Sequence, residues 1–335
     1  MILLPISYLK WAGGKFKVAH ELLRMFTKTG RLSQEYWSVD STQQYHEWFG
    51  GGLSMYFVLR KEGFIHNDAI SHLNDFSESL INSAQIVQTT SPKTIFEQLE
   101  KLRVGYIKSL DGKEIPRNET DEVRNKRFYY LRRKEFNRIN HTLITKGKLS
   151  KKDQLRLCSL MIFLNKTCFN GLYRVNMKKG EMNVPEGDYP NLNALRTEEE
   201  IRTCAKLLEN TVLTSGDWRN AIPLVKKGDL VYIDPPYAKL NKKKAFTTYS
   251  TAEFTEQEQI DLANQSCYLV RDKGCRVIAS NHDTKWVQNV YREAAKVAGV
   301  KILFRHIKVA RSANRDGKGR KSAPELLIFI FPETR

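Results

Sequence analysis

The sequence predicts a doubly wound α/β sheet interrupted by an inserted, mainly helical domain. Three observations carry that expectation. Short β-type runs bounded by turn residues alternate with helical patterns at both ends of the chain. One run, Leu230–Ile233, is wholly apolar and stops in Asp-Pro-Pro-Tyr, as a buried central strand would at the carboxyl edge of a sheet. Between roughly 71 and 194 there is no convincing strand core, and the stretch is helical and basic. The expected strands are 45–49, 64–67, 211–214, 230–233, 276–280, 301–309 and 326–331. The expected helices are 15–27, 53–61, 71–87, 125–139, 154–164, 197–209, 256–272 and 284–297. The sheet domain is therefore discontinuous, 1–70 and 195–335, around an insertion at 71–194.

At 335 residues the chain can bury a sizeable core. No run of 18 apolar residues is present, which excludes a membrane-spanning helix. The start, "MILLPISYLKWAGG", lacks a basic region ahead of a long apolar one and does not read as a secretory signal, so the cytoplasm is the expected compartment. Five cysteines without a CxxC pair argue against a disulfide framework and against a zinc site.

Charge is unevenly spread. The net charge is +18, and residues 101–180 hold 21 Lys and Arg against 7 Asp and Glu, a surplus of 14 in one quarter of the chain. Cations there alternate with aromatics (Phe128, Tyr129, Tyr130, Phe136, Phe163, Phe169, Tyr173), where a merely solvated face would mix signs. Phosphates neutralised by Lys and Arg, and bases stacked on rings, make a nucleic acid the favoured partner.

The turn Asp234-Pro235-Pro236-Tyr237 is the strongest chemical signal. Two prolines remove two N–H donors, leaving the Asp234 carboxylate and backbone carbonyls as acceptors. Acceptors alone suit an exocyclic amino group such as adenine N6, whose lone pair is delocalised into the ring. Holding both hydrogens favours a tetrahedral nitrogen with its lone pair released, and Tyr237 offers a flat surface for the ring. A strand-ending turn rich in Asp and Pro is the plain alternative.

In "YHEWFGGGLSMYF" a strand, a glycine cluster and a helix follow one another, so Gly50–Gly52 let the backbone approach a ligand beside a helix N-terminus. Leu53 breaks the G-x-G-x-x-G spacing, which removes support for a nicotinamide or flavin site. "FIHNDA" is expected to end a strand at Asp68, where ribose hydroxyls are held in nucleotide-binding sheets. Asp217 in "TSGDW" closes another strand and serves either an adenine amino group or a helix N-cap. In "YLKWAGGKFKVAHELL", Trp11 is a candidate cover for an adenine face and Lys15 a candidate partner for a carboxylate. His282 in "SNHDT" reads as a structural loop contact, and 310–323 as a basic loop touching phosphates.

Taken in order from Tyr8 to Phe331, "LKWAGGK", "FGGGLS", "FLNKTCFNGLYRVN", "GEMNVP", "DPPY", "FTTYSTAEFTEQEQ", "SNHDT" and "RKSAPELLIF" resemble the Dam-type DNA adenine-N6 methyltransferases. Residues 89–150 match that family only loosely. The resemblance implies a Rossmann-like sheet that uses S-adenosylmethionine and an inserted target-recognition domain with a β-hairpin near 168–185. It implies Trp11, Lys15, Phe49, Gly51, Asp68, Asp217 and Asp234 in cofactor binding. Asp234, Pro235 and Tyr237 would then grip an adenine flipped out of double-stranded DNA, with direct methyl transfer and neither a metal nor a covalent enzyme intermediate. Phe169 and Asn170 would wedge into the stack, although Phe169 alone also reads as a core aromatic. Leu172, Arg174 and Pro185 would read base edges, and Lys10 would contact an outer guanine. Two departures stand out: Leu53 replaces a third glycine, and one extra residue separates Asn176 from Pro185. GATC is the expected target and a monomer the expected state. Cytosine N4, RNA adenine and a protein glutamine amide are rival acceptors, and a catalytically silent DNA-binding protein is the rival from another class.

Overall fold

The computed structural model describes residues 7–11, 14–110, 120–176, 181–189, 192, 195–237, 254–310 and 322–333. In chain order the elements are α1 Phe16–Met25, α2 Gln34–Trp37, β1 Tyr45–Glu47, α3 Ser54–Lys61, β2 Ser71–Asp75, α4 Glu78–Thr89, α5 Pro92–Leu110, α6 Asp121–Asn125, α7 Phe128–Lys146, α8 Lys151–Thr167, β3 Val175–Asn176, β4 Glu181–Met182, α9 Glu198–Leu207, β5 Thr211–Ser215, β6 Leu230–Ile233, α10 Glu256–Lys273, β7 Arg276–His282, α11 Lys285–Ala298, β8 Lys301–Ala310 and β9 Ser322–Phe331. They divide into two units. One, Lys15–Phe76 with Asn210–Thr248 and Ala252–Arg335, carries the large sheet; the other comprises Met1–Gly14, Ser77–Glu209 and Tyr249–Thr251.

The sheet has seven strands in the order β5-β2-β1-β6-β7-β9-β8. The first five are parallel, while β9 runs antiparallel to both β7 and β8. Sheet order reverses between β1 and β6, and ligands bind outside the carboxyl ends of strands at such a reversal. Position in the sheet explains composition. Leu230–Ile233 is buried throughout because β6 is covered on both faces, and Val231 and Ile233 join Leu262, Cys267, Tyr291 and Ile328 in one apolar cluster.

Helix ends follow local chemistry. The Thr255 hydroxyl accepts the Glu258 N–H to open α10, and Gly274 closes that helix at φ +60°. Thr197 and Glu200 form a reciprocal capping box on α9.

The second unit is helical, with the antiparallel pair β3 and β4 as a small hairpin. One face of α7 holds the hairpin's return arm: Tyr129 Oη and Arg133 Nη1 donate to the Val184 carbonyl at 3.0 and 2.8 Å. The Asn137 amide pairs with both backbone groups of Met182 at 2.9 and 3.1 Å. These side chains lie four residues apart, one helical turn, so a single stripe of α7 grips the return arm from Met182 to Val184.

Several expectations need correction. Residues 64–67 are not a sheet strand; Ile65 makes only an isolated bridge to Val39. The strand is β2, inside the stretch expected to open a helix at 71, so 71–75 belongs with the sheet and the insertion begins later. The 19-residue helix α5 was not anticipated, and α9 belongs to the helical unit. The basic loop expected at 310–323 narrows, since β8 reaches Ala310 and β9 starts at Ser322; residues 311–321 lie outside the described residues, as do 177–180 and 238–253.

Candidate active site

Asp234 follows β6 directly at the carboxyl edge, and its surroundings are built by three other segments. Its Oδ1 accepts from Lys15 Nζ at 3.0 Å and from Ser280 Oγ, on neighbouring β7, at 3.0 Å. Lys15 stands at the start of α1 with its side chain 8 % exposed, and it also reaches Glu325 on β9 at 3.8 Å. Burial by itself would lower the Lys15 pKa, yet the carboxylates of Asp234 and Glu325 together raise it above the ordinary lysine value. For Asp234 burial raises the pKa, opposed by the Lys15 ammonium and by hydroxyl donors.

Tyr237 is fixed on three sides. Its hydroxyl donates to Glu325 Oε1 at 3.2 Å, Lys15 Nζ lies 4.6 Å from the ring centre, and the His282 ring meets it edge-on at 4.8 Å. His282 thus contacts the tyrosine, in keeping with its reading as a structural residue. The Pro236 carbonyl accepts from Gln259 Nε2 at 2.6 Å, and Gln259 is held by Asn281 Nδ2 at 2.9 Å. The turn therefore has one carbonyl already engaged by Gln259 and one carboxylate oxygen, Asp234 Oδ1, shared by Lys15 and Ser280.

Beside it, across the reversal point, lies the glycine turn. Gly50 N–H donates to the Asn74 carbonyl at 2.8 Å, and Gly51 N–H to Asp75 Oδ2 at 2.7 Å. A Cβ at Gly50 would come within 2.7 Å of Leu53 Cδ2 and 3.4 Å of the Asn74 carbonyl, so a side chain there would require Leu53 to shift. Gly51 has φ +50°, and Leu53 sits at φ +55° where glycine would be unstrained. Leu53 is buried and caps α3, so packing holds it in a conformation that its own backbone disfavours. Phe49 packs edge-on against Phe254 with ring centres 5.7 Å apart.

Not every expected residue joins this edge. Asp68 lies in an exposed turn ahead of β2, at the amino end of the strand, and so does not end a strand as expected. The acidic strand end is Asp75, followed by Phe76, a large aromatic left 54 % exposed. Asp217 caps the 3₁₀ turn Trp218–Leu224, accepting the Arg219 N–H at 2.8 Å, which is one of the two roles expected for it. Trp11 belongs to the helical unit and stacks on Tyr173 at 5.4 Å.

In that unit the hairpin presents its expected readers outward. Phe169 is 39 % exposed, which excludes the core-aromatic reading, and Asn170 beside it has φ +57°. Arg174, Pro185 and Lys10 are exposed and Leu172 is half-buried. Arg174 Nε donates to Asn183 Oδ1 at 2.9 Å, which orients the guanidinium across the hairpin.

Four site residues escaped sequence reading: Glu47, Asp75, Gln259 and Glu325. Glu47 ends β1 beside β6, and burial lifts its pKa to about 8, partly opposed by the Tyr45 hydroxyl donating at 2.8 Å. A carboxyl raised on folding stabilises the fold fully below its unfolded value of 4.5, and that share is lost as pH climbs through about 8. Glu47→Gln should remove this slope, so its melting temperature should gain on that of the wild type as buffers move from pH 5 to pH 9. Parallel curves would mean that Glu47 does not titrate in that window.

Comparison with known proteins identifies the family. The family model for D12 class N6 adenine-specific DNA methyltransferases matches residues 11–307. The chain belongs to that family. It is accordingly an adenine-specific DNA methyltransferase. A type II methyltransferase, M.MjaIII of Methanocaldococcus jannaschii, is 33 % identical over 276 residues, covering 82 % of this chain and 83 % of its own. The DNA adenine methylase of Haemophilus influenzae is 28 % identical over 97 % of this chain and 93 % of its own, and that of Escherichia coli K12 27 % identical over 97 % and 95 %. Members of this D12 class generally use S-adenosylmethionine. Among the described residues, no group of three or more His, Cys, Asp or Glu is arranged to hold a metal ion, no helix is long and apolar enough to cross a membrane, and all five cysteines are buried thiols.

Proposed function

We propose that this methyltransferase transfers a methyl group from S-adenosylmethionine to N6 of an adenine flipped out of double-stranded DNA, within GATC. The observation that carries the reading is the turn after β6. Its Pro236 carbonyl is taken by Gln259, while the Asp234 carboxylate and the Pro235 carbonyl are left to accept the two amino hydrogens of the base. Asp234 Oδ2, which makes neither the Lys15 nor the Ser280 contact, is the oxygen assigned to the amino group. Holding both hydrogens leaves the nitrogen lone pair directed away from the ring, and the carboxylate then balances the positive charge that develops on nitrogen. Tyr237 stacks on the base, its ring held by Glu325 and His282.

S-adenosylmethionine, when bound, supplies an electrophilic methyl group on sulfur. The donor set at the edge of β1 and β2 suits it. Asp75 presents a carboxylate to a pair of ribose hydroxyls, Phe76 an exposed face to a purine, and the glycine turn an approach free of side chains. Phe49, Gly51, Asp217 and the Lys15–Asp234 pair complete the cofactor assignment in the sheet unit, and the family resemblance adds Trp11. Asp75 replaces Asp68 in this scheme. Asp75→Ala should raise the cofactor Kd roughly 10- to 100-fold, the worth of a hydrogen bond to a charged group, and Asp68→Ala should leave it unchanged. Calorimetric titration of both variants decides between them.

Target reading is assigned to Lys10, Leu172, Arg174 and Pro185, and the wedge to Phe169 and Asn170. The whole reading is tested by single-molecule methylation sequencing of DNA from a host without adenine methylation. N6-methyladenine at one short motif, absent when Asp234→Ala replaces the wild type, is the expected result. No modified base in either sample would move the assignment to a silent DNA-binding protein or to another acceptor.

A further inference from the structure

We infer that Asn165 is a positioning residue for target reading: its carboxamide fastens Lys10 to the 3₁₀ turn Phe169–Gly171 that leads into the hairpin, so that the two contact DNA in one fixed relation. The inference deepens the proposed function and rests on the DNA-reading roles assigned there.

Asn165 lies near the end of α8, 3 % exposed, among Leu160, Met161, Phe163 and Leu164, all buried apolar residues. Its Oδ1 accepts the Lys10 N–H at 2.7 Å, and its Nδ2 donates to the Lys10 carbonyl at 2.7 Å and to the Gly171 carbonyl at 3.3 Å. One side chain thus pairs with both backbone groups of Lys10, as a neighbouring strand would, and reaches the end of the Phe169–Gly171 turn with the same nitrogen. The joined segments are far apart in sequence.

A second contact runs between the same two segments. Gly171 has φ +64°, and a Cβ there would lie 2.5 Å from Lys10 Cδ, so the lysine stem passes directly over the glycine. Immediately before Gly171 stand the exposed Phe169 and Asn170 at φ +57°. The rest of the N-terminal segment is tied down independently, by Arg196 Nε donating to the Tyr8 carbonyl at 3.0 Å and by the Trp11–Tyr173 stack. Asn165 is therefore not needed merely to attach the segment. Its three bonds fix where Lys10 stands relative to the wedge, and a buried amide tolerates no partial loss of partners.

The test uses the full chain. Asn165→Asp keeps the shape and the acceptor but turns the donating nitrogen into an oxygen facing two carbonyls; Asn165→Ser is the milder second variant should the first not fold. The quantity read is kcat/KM on the methylated motif divided by kcat/KM on a duplex changed only at the outer base pair assigned to Lys10. Lys10→Ala should lower that ratio about tenfold, as the loss of one base contact does. Asn165→Asp should lower it by a similar factor, the double variant no further, and 2-aminopurine fluorescence at the target position should fall with Asn165→Asp. Cys158→Ala, on the same helix with its thiol against the Ser83 carbonyl, should lower the melting temperature and leave the ratio unchanged. An unchanged ratio in folded Asn165 variants, or Lys10 and Asn165 effects that multiply, overturns the role while leaving the proposed function standing. A wild-type protein that methylates no DNA motif overturns both.

Discussion

Asp234→Ala is expected to lower the single-turnover rate of methyl transfer by at least about 10²–10³-fold, the usual cost of removing a preorganised group aimed at developing charge. The effect should fall on kcat, because the carboxylate acts on an amino group only as that group becomes pyramidal. DNA affinity should change little, since phosphate contacts by Lys and Arg supply most of it. Asp234 also neutralises a buried ammonium. Alanine leaves Lys15 with Glu325 at 3.8 Å as its remaining carboxylate, so some stability is lost as well. Asp234→Asn separates the two effects. It keeps the volume and an acceptor for Lys15, but it can offer an NH₂ where the substrate presents its own hydrogens. Both variants should therefore be inactive, with asparagine the more stable. A folded Asp234→Asn protein that transfers methyl groups at the wild-type rate would sink the acceptor mechanism.

How much of this was legible beforehand follows from how each element is stabilised. β6 was readable because a strand buried on both faces by apolar packing writes a continuous apolar run, and its end was marked by prolines. β2 was missed because it is buried with polar residues. His72 stacks on His46 with ring centres 4.8 Å apart and meets Gln44, and Asn74 is satisfied by the carbonyls of Trp48 and Gly216. Those partners come from elsewhere in the chain, so "SHLND" carries no apolar signal and its Leu73 was absorbed into the pattern of the helix that follows. The misplaced strand displaced the acidic residue with it, from Asp75 to Asp68.

The site divides along the same line. Asp234, Pro235 and Tyr237 announced themselves because a turn made of acceptors needs unusual residues in sequence. Gln259 and Glu325 act through contacts made across the fold, and a lone Gln on a helix or Glu on a strand has no local mark. The motifs that contain them, "FTEQEQ" and "SAPELLIF", carried the resemblance without disclosing which member touches the turn. Asn170 and Gly171 were visible as a motif, but the positive φ that exposes Phe169 appears only in the folded chain.

Lys15→Met should be the most damaging single change to stability among the site residues. Lys15 is the cation between two carboxylates, and removing one member of a buried charged group costs about 3–5 kcal/mol because the partners remain uncompensated. The chemistry should suffer in a particular direction. Activity needs Asp234 ionised, since a protonated carboxyl would present an O–H to an amino group that must donate. Burial already raises the Asp234 pKa and the Lys15 ammonium opposes that rise, so deleting the ammonium moves the pKa further up. The acid limb of the rate profile should shift to higher pH in Lys15→Met, and activity lost at neutral pH should return in part under alkaline conditions. Stability follows the sign of the same pair. The lysine pKa is raised on folding, so its contribution is complete below the ordinary lysine value and is lost as pH rises through the elevated one. At neutral pH the wild type thus holds its advantage over Lys15→Met, and the gap should close in acid as Asp234 takes up its proton. Rates and melting temperatures of both proteins between about pH 5 and pH 9 test the two consequences together; an acid limb that does not move would show that Lys15 braces the site without setting the charge on Asp234.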